Sequence, residues 1–117
     1  MFAAIYFYKI PNDRIDQFLS IQKQAADIYR RHGAIDDATF APSNLAARYG
    51  CTSLLSDVTL EPNEELFFSL SLFKSKEDHD LIMLKLDRDP EILSLYDETC
   101  KVIDVSRILR GEFNRIV

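Results

Sequence analysis

A chain of 117 residues is the size of one domain. With 47% hydrophobic and 28% charged residues it can build an ordinary core, which excludes global disorder. A net charge of −5 argues against a nucleic-acid groove or docking on anionic lipid, since both need clustered Lys and Arg.

Residues 2–10 (FAAIYFYKI) are β-branched and aromatic and predict a first strand. Pro11, which has no N–H to pair, ends it, and Asn12 is a plausible helix N-cap. Ile15, Phe18, Leu19, Gln22, Ala25, Ala26 and Tyr29 recur at helical spacing. Arg30, Arg31 and His32 then suit the negative end of the helix dipole, and Gly33 suits the position after the last turn. A weaker strand is predicted over 34–41. Residues 43–63 form an irregular insertion with short extended pieces, closed by a turn at Glu61, Pro62 and Asn63. The clearest strand is ELFFSLSLF, 65–73. Ser75 caps a second helix, with Asp78 three residues on as a near capping box. Asp89 and Pro90 start a short helix to about Tyr96, and a last strand is predicted over 104–115.

The order is β-α-β-β-α-β. This is the α+β, ferredoxin-like pattern of an antiparallel sheet with two helices on one face, in a single domain spanning 1–117. Both strand faces carry large apolar groups. Phe2, Ala4, Tyr6 and Tyr8 point one way in the first strand, and Ala3, Ile5 and Phe7 the other. Helices can cover only one face, so a homodimer through the other face is expected. Small Ser69 and Ser71 would suit close approach of two sheets, with Phe68, Leu70 and Leu72 under the helices. The alternative cover is the 43–63 segment.

Cys51 and Cys100 have no neighbouring Cys/His set, so no metal site and no cofactor is expected, and two lone thiols fit a reducing cytoplasm. No apolar run is long enough to cross a membrane, and no nucleic-acid partner is expected. Phosphate loops, GxSxG and HExxH are absent. The candidate site residues are therefore single side chains. His79 precedes Ile82 and Met83 by one turn and could serve as general base or haem ligand; the plainer reading is a helix-start His bonded to an acid. Tyr6 and Tyr8 share one strand face and could orient a ligand, or be core aromatics. Arg107 could clamp a carboxylate, and it or Arg110 could instead pair with an acid such as Glu112. Asp36 and Asp37 point to opposite faces and so do not form an acid/base pair.

The segments RRHGAI (30–35), VTLEPNEELFFS (58–69), FKSKEDHD (73–80) and SRILRGEF (106–113) resemble the YbaA-like proteins, classed as domain of unknown function 1428. The resemblance runs over nearly the whole chain and implies a dimeric α/β barrel. In two places this chain departs from that pattern. Asp78 stands where relatives tend to have His, with His79 following, and Leu55 replaces a Pro. The resemblance transfers no activity. Two readings follow: a homodimeric protein binding a small apolar or aromatic molecule or acting as an interaction module, or, by fold analogy, a cofactor-independent monooxygenase or isomerase, or a haem-degrading enzyme.

Overall fold

The computed structural model describes residues 1–117. Four strands and three helices follow one another: β1 (Phe2–Pro11), α1 (Ile15–Arg31), β2 (Asp36–Phe40), β3 (Glu64–Phe73), α2 (Lys76–Leu86), α3 (Pro90–Val102) and β4 (Leu109–Asn114). The strands form one antiparallel sheet in the order β2-β3-β1-β4. This is the ferredoxin-like α+β arrangement.

Helix boundaries follow local chemistry. The Ser75 hydroxyl accepts the Asp78 N–H at 3.1 Å, and the Asp89 carboxylate accepts the Glu91 N–H at 2.9 Å, with Pro90 in the first turn. Gly33 ends α1 at φ +113°, where Ile82 Cδ1 lies 3.4 Å from any added Cβ. Asn12 does not cap α1. It sits in a 3-10 turn, and its backbone N–H is taken by the Asn63 carbonyl. Leu54 and Leu55 are likewise in a 3-10 turn, capped by Ser53, rather than extended.

The third helix runs past Tyr96 to Val102, and the last strand starts at Leu109 rather than Asp104. The Ile103 N–H still reaches the Thr99 carbonyl, and Asp104 then caps a 3-10 turn at Val105–Arg107 through the Ser106 N–H. That turn takes Arg107 off the strand.

Strand register decides which side chains share a face. Phe2 pairs with Phe73, Ala4 with Ser71, Tyr6 with Ser69 and Tyr8 with Phe67. Phe2 and Phe73 join Ile21 and Ile28 of α1, Ile82 and Leu86 of α2 and Leu95 of α3 in one core cluster. Tyr8 and Phe67 pack with Phe18 in a second. The helices therefore lie on the face carrying Ser69 and Ser71, and Phe68, Leu70 and Leu72 are on the open face. This reverses the sequence expectation. The physical reason lies in the flanking residues: Phe67 and Phe73 supply the bulk on which helices pack, whatever stands between them.

Candidate functional site

The two core clusters sit at opposite ends of the helix-covered face. Between them β3 offers only the small Ser69 and Ser71, which pair with Tyr6 and Ala4 of β1. Side chains descending from the helices meet no matching bulk there, and a cavity of about 590 Å³ opens. Ile21, Ala25 and Tyr29 of α1 and Ile92, Leu95 and Thr99 of α3 roof it. Tyr6 and Tyr8 stand in its floor as a stacked pair, with ring centroids 5.9 Å apart and an interplanar angle of 16°.

One charged group is sunk into this apolar space. Asp37 of β2 is 7% exposed and lines the cavity. The Ser71 hydroxyl donates to its Oδ2 at 2.6 Å, and Arg30 Nη2 donates to its backbone carbonyl at 2.7 Å. Burial raises the Asp37 carboxyl above the ordinary Asp range. The Ser71 hydrogen bond and the Arg30 guanidinium pull against that, and the Asp36 charge adds to it. Burial also pushes up the phenols of Tyr8 and Tyr29, and the Tyr6 phenol reinforces both shifts. Neither phenol gives up its proton at neutral pH.

At the β4 edge stands Arg110. Its Nε donates to the Tyr6 hydroxyl at 3.1 Å, its guanidinium carbon lies 5.4 Å from the Tyr6 ring centroid, and its Nη1 meets Glu112 Oε2 at 2.7 Å. The hydrogen bond to Tyr6 leads the interactions that hold the guanidinium firmly protonated. On the opposite edge Gln22 Nε2 donates to Thr39 Oγ1 at 3.0 Å.

Of the sequence candidates, Tyr6 and Tyr8 line this cavity, and His79 and Arg107 do not. His79 does look toward the sheet, but its ring is held between Phe2 and Phe73, with centroids 4.7 and 4.8 Å away. Its Nδ1 meets Asp80 Oδ1 at 2.9 Å, and its Nε2 is buried without a hydrogen-bond partner. Arg107 makes a two-pronged pair with Glu64, at 2.6 and 2.8 Å, beside a second, shallower and more polar cleft. Its partner is thus Glu64, and Arg110 is the arginine that pairs with Glu112. His32 does more than suit the helix dipole: its Nε2 meets Asp89 Oδ2 at 2.8 Å, tying the end of α1 to the start of α3. No three His, Cys, Asp or Glu side chains converge as a metal site would require.

Asp37 and Tyr29 are the residues that sequence reasoning passed over. The Asp36–Asp37 doublet carried the signal. Alternation along a strand must turn one of two adjacent acids inward. The register makes that one Asp37, opposite Ser71.

The same fold recurs in solved structures. At3g17210 from Arabidopsis thaliana matches with a TM-score of 0.66 at 8% identity, over 100% of this chain and 97% of that one. Atu4242 from Agrobacterium tumefaciens, a NIPSNAP family protein of unknown function, matches with a TM-score of 0.63 at 19% identity, over 99% and 94%. SnoaB, a cofactor-independent oxygenase from Streptomyces nogalater, matches with a TM-score of 0.63 at 10% identity, over 97% and 91%. At these identities the likeness is one of fold alone, the α+β fold described above. No curated protein matches the sequence significantly. The family described as protein of unknown function (DUF1428) matches residues 1–101, most of the chain, and the chain belongs to that family.

Proposed function

We propose that this protein is a homodimer that binds a small, largely apolar or aromatic molecule in the cavity between helices and sheet. The observation that carries the reading is the cavity itself. Its volume of about 590 Å³ suits a small ligand, and it is apolar apart from a few converging polar groups. A structural core would be filled; here the small residues Ser69 and Ser71 keep the centre of the face open. The test is occlusion. Ser69→Leu places an isobutyl group in the floor, and it should abolish the chemical-shift changes that small aromatic probes cause at Tyr6, Tyr8 and Tyr29. Shift changes that persist in the variant would defeat the reading.

A second reading is a cofactor-independent oxygenase or isomerase. One feature of the cavity favours it: a buried carboxylate with a raised proton affinity is the kind of group that moves protons. SnoaB, with this fold, is such an oxygenase. On this reading Asp37, not His79, is the catalytic group. The haem-degrading variant does not fit these residues, because an axial ligand needs an open face and His79 Nε2 is enclosed by Phe2 and Phe73.

A further inference from the structure

We infer that the cavity recognises a flat, conjugated hydroxy-carbonyl compound, its hydroxyl donating to the Asp37 carboxylate and its carbonyl oxygen accepting from Arg110. The inference rests on the cavity being a binding site and names what that site selects.

The polar groups lie at two ends of one floor. Asp37 belongs to β2, and the Arg110 guanidinium lies over Tyr6 of β1, two strands away in the sheet order. Asp37 is level with Ala4 and Arg110 with Tyr6, two residues further along, so two strand spacings and that offset together amount to ~12 Å. One six-membered ring with a hydrogen bond at each end fills that span. The Tyr29 phenol lines the same cavity, where the Asp37 charge raises its proton affinity and the Arg110 charge lowers it. The nearly parallel rings of Tyr6 and Tyr8 line the floor between the poles, so the cavity offers aromatic contact to a ligand lying there.

The chemistry at each pole is fixed by bonds already made. Asp37 receives one hydrogen bond from Ser71 and keeps lone-pair capacity for a donor from the ligand. Arg110 uses Nε on Tyr6 and Nη1 on Glu112, and neither bond uses the Nη2 protons. Glu112 already neutralises Arg110, and Asp37 adds a second negative charge to the site. A carboxylate ligand would be repelled by both acids, so a neutral carbonyl is the better acceptor here.

Titration calorimetry at neutral pH tests this with three probes: 4-hydroxyacetophenone, acetophenone and phenol. The first should bind wild-type protein about tenfold more tightly than either of the others, as one added charge-assisted hydrogen bond provides. Asp37→Asn should weaken 4-hydroxyacetophenone about fivefold or more and leave acetophenone unchanged. Arg110→Met should weaken 4-hydroxyacetophenone and acetophenone alike and leave phenol unchanged. Equal wild-type affinities for the three probes would overturn the two-pole assignment and leave the binding cavity standing. A loss shared equally by all probes in both variants would overturn it as well. Failure of every probe to bind wild-type protein would defeat both this inference and the binding reading on which it rests. Arg110 sits on a partly exposed edge strand and its replacement leaves the core intact, so its probe series decides the matter even if Asp37→Asn fails to fold.

Discussion

Asp37 is a costly residue, and its cost has a pH signature. Because burial raises its carboxyl in the native state, the folded chain holds that proton more tightly than the unfolded chain does. As pH climbs from the ordinary Asp value through the native one, the unfolded chain releases its proton first, and stability falls across that window. Below about pH 4 the penalty is absent. Asp37→Asn should therefore unfold at a higher temperature than wild type at pH 8, with the gap closing toward pH 3.5; thermal melts at the two pH values check it. A variant less stable at pH 8 would show that the Ser71 and Arg30 contacts outweigh the burial cost. His79 offers the complementary case. Its Nε2 is buried and unpaired, which costs on the order of 1 kcal/mol. His79→Leu should raise stability by about that amount in urea denaturation and leave probe binding in the cavity unchanged. Both effects are invisible in sequence. The chain shows that an acid and a histidine stand on particular faces, but not which of them meets a void and which meets two phenylalanine rings.

At the scale of elements, the sequence was most legible where a local cause acts alone. Ser75, Asp89, Pro90 and Gly33 each do what their chemistry dictates at a helix end. Gly33→Ala should cost about 1–2 kcal/mol, since the added Cβ is strained at φ +113° and meets Ile82 as well; equilibrium unfolding measures it. Legibility failed where packing decides. The alternation in FFSLSLF correctly separates Phe67, Ser69, Ser71 and Phe73 from Phe68, Leu70 and Leu72. It does not say which set faces the helices. The larger residues of the leucine set argued for that set, and the helices instead chose the set bracketed by Phe67 and Phe73, each of which meets another aromatic across the β1 pairing. The serines thereby became the floor of a cavity rather than a seam between sheets. The boundaries of α3 and β4 moved for a similar reason, because Asp104 caps a turn that no periodicity announces.

The whole molecule is a slab, 39 × 38 × 21 Å, thick enough for one sheet and one layer of helices. Its bare side carries Ile5 and Phe7 of β1, Phe68, Leu70 and Leu72 of β3, and Phe40, Leu109 and Phe113 at the edges. Phe113 remains 57% exposed and Phe40 49%. The central residues of this face are half-buried by one another, and contiguous apolar faces of this kind are uncommon on monomers. Its character also points to a second copy rather than a charged partner. The face is aromatic and aliphatic across all four strands, and two such sheets stacked ~10 Å apart would bury it from both sides. An isologous pairing of this kind places each cavity on the far side of its sheet from the seam, so dimer formation and ligand binding should be separable. Leu70→Glu puts a charge near the middle of the bare face, where a monomer tolerates it and a dimer does not. Light scattering at micromolar concentration should give wild-type protein twice the 13.5 kDa chain mass and the variant a single chain mass. The variant should still bind 4-hydroxyacetophenone within about threefold of wild type, since the serine side of the sheet is untouched. Wild-type protein at the single chain mass would refute the pairing, and loss of probe binding on dissociation would mean that the partner copy shapes the cavity after all.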